Sequence, residues 1–457
     1  MEDLAGTKTQ TLEGEPLAAQ TQRGPGLRLA FPIDGDFRET ELDGGDRWVV
    51  GRTWLRERFG LHDRKASNRQ FVLERHAQGW QLHDLGAKNR THVNGRAVET
   101  ATLADGDLVR AGSSLLVFRQ HLPPLETEAQ SVSSSAADSA VAGVFWLNAV
   151  EVEITRIASL GRRDDRPVTV LIEGETGAGK EMVAMLAAAR LLGVAPTPEA
   201  LVAINGARLV ESLADAELFG HAAGSFTGAT KARGGSVRQT SSERALFLDE
   251  IGEVPLAAQP KLLRLLQNSE VHPVGADEPL RLPDLVVIAA TNRHLADAVR
   301  DGTFRQDLFQ RIAATVLTVP PLRAHVEDLY EVLLELARRR DVHVGSHASP
   351  LHVTVAERLM LHPWPGNVRE LDNVLARCSA GGCFNPTLAQ LEDLAAACEL
   401  ETVETTAHAS GARRLSIDER AERDAAIRRC LGAGMSWRAI EDELGVSRGA
   451  VARVAKG

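Results

Sequence analysis

A glycine-rich stretch between a predicted strand and a predicted helix constrains this chain more than any other feature. The apolar run Val168–Ile172 leads into GETGAGKE at 174–181, and the apolar segment Met182–Leu192 follows. Glycines let backbone N–H groups surround a phosphate, and the positive end of the next helix favours its charge. The order of strand, glycine-rich stretch and helix predicts a phosphate-binding loop in which Lys180 reaches the β- and γ-phosphates. The predicted nucleotide contacts in it are Gly174, Glu175, Thr176, Gly177, Ala178, Gly179, Lys180 and Glu181.

Two adjacent acids follow another apolar run, Ala245–Leu248. A buried strand that ends in two carboxylates places Asp249 to hold Mg²⁺ and Glu250 to polarise the water that attacks the phosphate. A surface acid pair that merely follows a strand is the alternative. It is the weaker interpretation because the glycine-rich loop upstream supplies a phosphate site. The sequence therefore predicts hydrolysis of ATP with Mg²⁺.

Further polar residues extend this pattern. The apolar run from Val287 ends at Asn292, whose amide can sense the γ-phosphate. Arg305 and Arg311 lie six residues apart, and an arginine supplied in trans stabilises a transferring phosphoryl group. Arg369 lies at the start of a predicted helix. Taken alone, such arginines are more often surface charges of a helix.

The segment at 26–120 has the pattern of a β-rich domain. Short apolar stretches such as Trp48–Val50 and Leu115–Phe118 are separated by turn signals such as Asn94-Gly95 and Asp105-Gly106. Asn-Gly and Asp-Gly supply the positive φ that hairpin turns require. The spacing predicts an all-β sandwich.

Composition divides the rest of the chain. Linkers are predicted at 121–142 and at 401–414. Between them, at 143–400, buried-strand candidates alternate with helical segments, which predicts an α/β domain with a parallel sheet. From about residue 325 the periodicity is helical only, which predicts an α-helical lid. The last part, 415–457, is predicted to be a small all-α domain.

Charge and apolar patterning exclude several classes of protein. The 457 residues include 52 Lys and Arg against 62 Asp and Glu, a formal charge of −10. Such a chain is poorly suited to coat nucleic acid over its whole surface. No apolar run approaches the roughly 20 residues of a membrane span, and the start of the chain lacks the apolar core of a secretory signal. A cytoplasmic protein without a membrane partner is expected.

The motifs of the central segment, taken in order, resemble those of the AAA+ activators of sigma-54 RNA polymerase, also called bacterial enhancer-binding proteins. GETGAGKE, LFLDEIGE, ATNR, FRQDLFQR and WPGNVREL carry the resemblance. Its most discriminating element is ELFGH at Glu217–His221, followed by GSFTGA at 224–229. The implied partners are sigma-54 RNA polymerase and DNA upstream of a promoter.

The resemblance also implies roles for individual residues. Asn205 would hold the catalytic Glu250 until the γ-phosphate is sensed. Arg305 and Arg311 would act as arginine fingers across subunits of a homo-oligomeric ring. A hexamer is expected, and a heptamer is the alternative. Asn292 and Arg369 would contact the nucleotide. The residues that would contact sigma-54 from the ring pore are Gly224, Ser225, Phe226, Thr227, Gly228 and Ala229.

The β-rich segment resembles forkhead-associated (FHA) domains, which bind phosphothreonine peptides. Gly51-Arg52, SNRQ at 67–70 and KNRTHVNG at 88–95 carry the resemblance. It implies a phosphothreonine-containing partner, modified by a Ser/Thr kinase. Gln70 stands where the family has a His that buttresses the binding loop. The implied phosphate ligands are Arg52 and Ser67, and the implied peptide contacts are Asn68, Lys88 and Asn89.

The segment Trp437–Arg453 has the pattern of a helix-turn-helix, with Ser447 as the N-cap of the second helix. Arg448, Arg453 and Lys456 follow without an intervening acid. A basic second helix fits the major groove of DNA. An ordinary amphipathic helix pair is the alternative.

Three hypotheses for the function remain. The first is an ATP-driven sigma-54 activator gated by phosphothreonine recognition. The second is an AAA+ remodeller of another protein, with the β domain as a phosphoprotein adaptor. The third is a scaffold without ATPase activity, and it conflicts with the presence of Lys180, Asp249, Glu250, Arg305 and Arg311.

Overall fold

The computed structural model describes most of the chain between residues 23 and 393. The described residues are 23–32, 38–42, 45–122, 150, 153–158, 167–210, 213–225, 232–275, 278–282, 284–345, 350–391 and 393. The predicted DNA-binding residues Ser447, Arg448, Arg453 and Lys456 lie outside them. By its backbone contacts the chain divides into a unit that ends at Leu391 and a second unit that begins at Glu392.

The N-terminal domain consists of two antiparallel sheets that share one core. Its strands are β1 Gly26–Phe31, β2 Glu39–Glu41, β3 Arg47–Val50, β4 Phe71–His76, β5 Gly79–Asp84, β6 Thr91–Val93, β7 Arg96–Val98, β8 Thr100–Leu103, β9 Leu108–Ala111 and β10 Ser114–Arg119. One sheet has the order β2-β1-β10-β9-β6-β7 and the other β3-β4-β5-β8. Leu29 and Phe118 of the first sheet and Leu73 and Leu82 of the second are buried together. The predicted β-rich domain is therefore present.

One helix departs from the all-β prediction. Helix α1, Arg52–Phe59, follows β3 and buries Leu55 and Phe59 in the core between the sheets. Arg52, the implied phosphate ligand, is therefore the first residue of a helix. The apolar residues four positions apart were the local signal, because residues i and i+4 share one face of a helix.

The central domain contains a parallel sheet that is buried on both faces. Its strands are β11 Val168–Gly174, β12 Leu201–Asn205, β15 Ala245–Asp249, β18 Val286–Thr291 and β19 Val316–Val319, in the order β12-β15-β18-β11-β19. Leu246 and Leu248 belong to the hydrophobic cluster on one face, and Ala245 and Phe247 to the cluster on the other. Burial of both faces explains why these strands are continuous apolar runs. The predicted parallel α/β fold is confirmed.

Helices and short strand pairs surround this sheet. The helices are α2 Lys180–Leu192, α3 Ala214–Phe219, α4 Gln259–Asn268, α5 Leu295–Arg300 and α6 Gln306–Ile312, and residues 153–158 are also helical. The short strands are β13 Gly220–His221 with β14 Arg233–Gly234, and β16 Glu270–Val271 with β17 Leu280–Arg281. Among the described residues, no helix is long and apolar enough to cross a membrane.

The lid combines helices with a small sheet, which corrects the prediction that this region is helical only. Its helices are α7 Leu329–Arg339, α8 Val353–Leu361 and α9 Asn367–Cys378, and its strands are β20 His343–Val344, β21 Ser379–Ala380 and β22 Cys383–Phe384. Gly381 and Gly382 both have positive φ and form the turn between β21 and β22. A Gly-Gly pair suits such a two-residue hairpin turn, and it was the signal in the sequence.

Candidate active site and binding loops

The glycine-rich loop joins the end of β11 to the start of α2, as the sequence predicts. Gly177 and Gly179 have φ values of 75° and 99°, which residues with a Cβ rarely adopt. A Cβ at Gly177 would also lie 2.3 Å from the carbonyl oxygen of Gly366. Ala178 between them is buried, whereas Glu181 in the first turn of α2 is exposed. The backbone path of the loop therefore requires glycine at 177 and 179.

Lys180, the first residue of α2, lies beside the two predicted catalytic acids. Its Nζ donates a hydrogen bond to the carbonyl oxygen of Gly174 at 2.8 Å. Burial lowers the pKa of the Lys180 ammonium; the carboxylates of Asp249 and Glu250 act in the opposite direction, and Arg369 of α9 lowers it further. The charges of the predicted site thus lie close enough together to affect each other.

The two acids stand at the end of β15. Glu250 has a left-handed backbone with φ of 51°, and its carbonyl oxygen accepts a hydrogen bond from the N–H of Glu253 at 2.9 Å. The resemblance implies that Asn205 holds Glu250. In the structure the Asn205 amide donates instead to Oδ2 of Asp249 at 3.3 Å. Asn205 and Asp249 are register partners at the ends of β12 and β15, which explains why these two side chains meet.

Asn292 completes this edge of the sheet. It follows β18, and its Nδ2 donates to Oγ1 of Thr176 in the glycine-rich loop at 2.8 Å. Because β11, β15 and β18 are parallel neighbours, their carboxyl ends meet at one edge, where ligands bind in open α/β sheets. The structure therefore brings together the loop, the two acids and the amide.

Two lid residues that the sequence analysis did not identify also contact the loop. Nδ2 of Asn367 donates to Oε2 of Glu175 and to the carbonyl oxygen of Thr176, both at 3.1 Å. Nη1 of Arg323 donates to Oε2 of Glu175 at 2.8 Å. The hydrogen bond from Arg323, more than that from Asn367, lowers the pKa of Glu175 to about 2. Asn367 lies inside WPGNVREL with φ of 53°, and a polar residue at that place in the motif was the available signal.

The two predicted arginine fingers lie elsewhere in the domain. Arg305 precedes α6, its guanidinium pairs with Asp307 at 2.7 Å, and its side chain is 42% exposed. Nε of Arg311 donates to the backbone oxygen of Leu266 at 2.9 Å. The backbone oxygen of Arg311 accepts a hydrogen bond from Oγ1 of Thr169 at 3.2 Å. Thr169 is at the beginning of β11, about 16 Å of extended chain from the end where the glycine-rich loop starts.

The predicted sigma-contacting loop starts and ends at an antiparallel stem. Strand β13 pairs with β14 through Gly220 and Gly234. The N–H of Ala222 donates to the carbonyl oxygen of Val274 at 2.9 Å, and Oγ of Ser225 donates to the carbonyl oxygen of Ala222 at 2.9 Å. Gly224 has φ of 78°. Of the six loop residues, Phe226, Thr227, Gly228 and Ala229 lie outside the described residues.

The five predicted phosphopeptide residues come together at one end of the N-terminal domain. Nε of Arg52 donates to the backbone oxygen of the residue before Ser67 at 3.0 Å. Oγ of Ser67 accepts a hydrogen bond from the N–H of Lys88 at 3.3 Å. Nδ2 of Asn89 donates to a backbone oxygen of the loop that carries Ser67 at 2.6 Å. Asn68 is exposed on that loop.

The side chain of Gln70 contacts the Ser67 loop from the interior of the domain. It is fully buried; its Oε1 accepts the N–H of Ser67 at 2.9 Å, and its Nε2 donates to Oγ1 of Thr91 at 3.3 Å. Oγ1 of Thr91 donates in turn to Oδ1 of Asp84 at 2.6 Å. The amide therefore ties the Ser67 loop to β6.

Replacing Gln70 by Leu is expected to loosen the loop. It removes both hydrogen bonds and leaves the N–H of Ser67 without its partner, at a net loss of about 1–3 kcal/mol. Amide exchange in a peptide covering 64–70 should become about tenfold faster. The control is Gln78→Leu, since Gln78 is exposed. Unchanged exchange in Gln70→Leu would show that the amide does not hold the loop.

Three family models match parts of the chain. The model described as the Sigma-54 interaction domain matches residues 149–318, and the AAA+ ATPase lid domain matches 323–410. The model described as the cytoplasmic domain of an inner membrane component of T3SS matches 37–121. The central domain and its lid are thus an AAA+ domain.

Curated relatives match between about half and four fifths of the chain. NorR1 of Cupriavidus necator, a nitric oxide reductase transcription regulator, is 44% identical over 220 residues, which are 47% of this chain and 41% of the relative. The regulatory protein LuxO of Vibrio cholerae is 45% identical over 213 residues, 46% of this chain and 39% of the relative. The anaerobic nitric oxide reductase transcription regulator NorR of Serratia proteamaculans is 33% identical over 365 residues, 78% of this chain and 70% of the relative. The chain spans about two fifths of the length of the first relatives.

Solved structures also resemble parts of the chain. NtrX from Brucella abortus in complex with ATP has a TM-score of 0.43 at 24% identity, covering 72% of this chain and 68% of that one. A structure from a study of phosphothreonine-dependent FHA domain interactions has a TM-score of 0.18 at 32% identity, covering 23% of this chain and 100% of that one.

Proposed function

Since the chain belongs to the sigma-54 activator family of transcription regulators, we propose that it uses ATP hydrolysis to convert the closed promoter complex of sigma-54 RNA polymerase into the open complex. The observation that carries the proposal is the convergence of the glycine-rich loop, Asp249, Glu250 and Asn292 at one edge of the parallel sheet. These groups suit phosphoryl transfer to water. The stem of the GSFTGA loop in the same domain supports the link to sigma-54.

ATP and Mg²⁺ fit the groups at this edge. The backbone N–H groups of the glycine-rich loop and the ammonium of Lys180 suit the phosphates. The carboxylate of Asp249 is the hard oxygen ligand that Mg²⁺ prefers, and the bound ion would neutralise phosphate charge. Glu250 would polarise the attacking water. Asn292, hydrogen-bonded to the glycine-rich loop through Thr176, would sense whether the γ-phosphate is present. Asn205 would act on the site through its hydrogen bond to Asp249, and Arg369 through its charge near Lys180.

The working form would be a homo-oligomeric ring of six or seven subunits. The backbone of Arg311 lies near the end of β11 that is remote from the glycine-rich loop. Its guanidinium is therefore better placed to serve a neighbouring subunit than its own site. The side chain of Arg305 is partly exposed beside Asp307, as a finger across a subunit boundary must be. Because each site then needs an arginine from the next copy, a closed ring satisfies all of them.

The N-terminal domain, at about 26–120, would bind phosphothreonine in a protein modified by a Ser/Thr kinase. Arg52 and Ser67 would hold the phosphate, and Asn68, Lys88 and Asn89 would hold the peptide. The proximity of these residues at one end of the domain supports the proposal. The buried amide of Gln70 supports it as well, since it fixes the Ser67 loop.

Arg52→Ala is expected to weaken binding of a phosphothreonine peptide by at least about tenfold, because a charge-assisted hydrogen bond to phosphate contributes about 1.5–3 kcal/mol. Isothermal titration with a phosphothreonine peptide library checks the loss. The control is Arg56→Ala, one turn later on α1 and also exposed. Equal affinity of the parent and Arg52→Ala would refute the phosphate role.

The segment at 415–457 would bind DNA upstream of the promoter as a helix-turn-helix. Ser447 would cap the recognition helix, and Arg448, Arg453 and Lys456 would contact DNA. Because three cations neutralise few phosphates, the salt dependence of binding should be modest for one protomer and larger for the ring. The linkers at 121–142 and 401–414 would join these flanking domains to the AAA+ domain at 143–400.

The experiment that tests the proposal uses the whole chain. Closed complexes of sigma-54 RNA polymerase on promoter DNA are incubated with the protein, ATP and Mg²⁺, and melted thymines are detected with permanganate. Opening that requires ATP supports the proposal. Hydrolysis without opening favours a remodeller of another protein, and the absence of hydrolysis rejects both functions.

A further inference from the structure

Ion pairs that converge on one buried carboxylate join the N-terminal domain to the lid. Glu327, in the 3-10 turn Val326–Asp328 before α7, is 1% exposed. Its Oε1 accepts a hydrogen bond from Nη1 of Arg28 at 2.9 Å, and its Oε2 accepts one from Nη2 of Arg119 at 2.6 Å. Nη2 of Arg119 also donates to the carbonyl oxygen of Ala324 at 3.0 Å. Because Arg28 and Arg119 come from neighbouring strands β1 and β10, the two guanidinium groups set the orientation of the segment.

Further pairs on both sides extend this interface. Nη1 of Arg38 lies 2.7 Å from Oε1 of Glu331, and Nε of Arg110 lies 3.0 Å from Oε2 of Glu357. The rings of Phe31 and Tyr330 pack edge to face with centroids 4.8 Å apart. In these pairs the lid supplies the acids and the N-terminal domain supplies the bases. Such separation of charge favours one docking geometry and disfavours others.

The interface is nevertheless incompletely hydrogen-bonded. Among the described residues, Nε and Nη2 of Arg38, Oε2 of Glu331 and Oε1 of Glu357 are buried without a hydrogen-bond partner. Burial raises the pKa of Glu331 to about 7, although the charge of Arg38 opposes the rise. Loss of hydration offsets most of the attraction in buried ion pairs, and separation restores hydration to every one of these groups. The interface is therefore specific but readily reversed.

The same lid segment also contacts the glycine-rich loop. Arg323, four residues before Glu327, bonds to Glu175 of the loop. The N–H of Leu322 donates to Oδ1 of Asn367 at 2.9 Å, and the Asn367 amide bonds to Glu175. We call residues 322–328 the hinge segment. Through hydrogen bonds and ion pairs it contacts both the glycine-rich loop and the N-terminal domain.

We propose that the N-terminal domain is a reversible clamp on this hinge segment, and that docking slows ATP turnover by restraining the lid over the glycine-rich loop. The inference rests on the proposed function, because it takes the glycine-rich loop as the ATP site. It identifies the lid as the docking partner of the N-terminal domain and Glu327 as the centre of the contact.

The clamp leaves the candidate phosphopeptide loops accessible. Lys88 and Asn89 precede β6 and are exposed. The turn at Asn94-Gly95 follows β6, and a Cβ on Gly95 would lie 3.0 Å from Cδ1 of Leu361 at the end of α8. One three-residue strand, β6, thus separates the candidate phosphopeptide loop from a contact with the lid.

The test uses the full chain with two charge reversals, Arg38→Glu and Arg110→Glu together, which leave every residue of the ATP site intact. Amide exchange of a peptide covering 322–331 and steady-state ATP turnover are measured side by side. Both should increase by about fivefold or more, the usual lower range of coupling between sites. The control is Arg47→Glu, because Arg47 pairs with Glu74 inside the N-terminal domain and is 62% exposed. It should match the parent in both measurements.

A charge swap separates docking from damage to the fold. Arg110→Glu alone should speed turnover, and adding Glu357→Arg should restore slow turnover because the pair is rebuilt with opposite charges. Unchanged exchange in the double reversal would overturn docking, and faster exchange with unchanged or slower turnover would overturn the restraint. If the parent itself hydrolyses no ATP, the proposed function and the restraint on turnover fail together, while the exchange data still report docking independently.

Discussion

ATP turnover is expected to fall by at least about a hundredfold in the Glu250→Gln variant, because general-base assistance typically contributes that much or more. The amide keeps the size of the side chain but cannot attract a proton from the attacking water. ATP should still bind with nearly the affinity of the parent, since the glycine-rich loop, Lys180 and Asp249 are unchanged. Phosphate release gives the turnover, and equilibrium titration with a fluorescent ATP analogue gives the affinity.

The control for this variant is Glu253→Gln. Glu253 lies in the 3-10 turn Ile251–Glu253 directly after Glu250, and it pairs with Arg293. It is a nearby carboxylate without a proposed role in the chemistry, so its replacement should leave turnover close to that of the parent. Near-normal turnover in Glu250→Gln would contradict the assigned role of the Glu250 carboxylate.

Thr227→Ala is expected to abolish open-complex formation and to spare most of the ATP turnover. Thr227 belongs to the GSFTGA motif and to none of the motifs that supply the proposed ATP site. Loss of its hydroxyl and methyl would remove a contact to sigma-54 without touching Lys180 or Glu250. Permanganate footprinting of the promoter and phosphate release, measured on the same preparation, separate the two effects.

Ser225→Ala is the matched control in the same loop. The Ser225 hydroxyl donates a hydrogen bond to the carbonyl oxygen of Ala222, so it is already engaged within the chain. Its removal loses about 1 kcal/mol of local stability and should preserve activation. If Thr227→Ala still opens promoters, the assignment of 224–229 as the sigma-54 contact is wrong.

The phosphate loop and the acid pair could be predicted from sequence because their signals are local. Gly177 and Gly179 are required by a turn of a few residues, and Asp249 directly follows an apolar strand. Parallel strands then bring these ends to one edge, so the motifs and the fold class together predicted that they would meet. The bond from Asn205 to Asp249 was not predicted, because it depends on the register between β12 and β15.

Two features of the fold, the helix in the β-rich domain and the strands of the lid, could not be predicted because their sequence patterns are short and the patterns of the flanking segments are stronger. The helix at Arg52–Phe59 is only two turns long, and the strand pattern around it predicted an all-β domain. The lid strands are two residues each, so their alternation could not be distinguished from the helical periodicity of the flanking segments. In both places the packing of a few apolar side chains against the core decided the local structure.

The sequence by itself determined the chemistry of the central domain: a phosphate loop with Lys180, a carboxylate pair and a set of motifs that occur together in sigma-54 activators. Only the tertiary structure decided which charges meet across the domains. Arg28 and Glu327 are 299 positions apart, and Arg323 and Glu175 are 148 apart. In the sequence each is one of many charged residues, and any of them can remain hydrated at the surface. Which charges become paired is set by how the folded domains pack, because burial removes water from particular side chains and leaves them only the partners that the packing supplies.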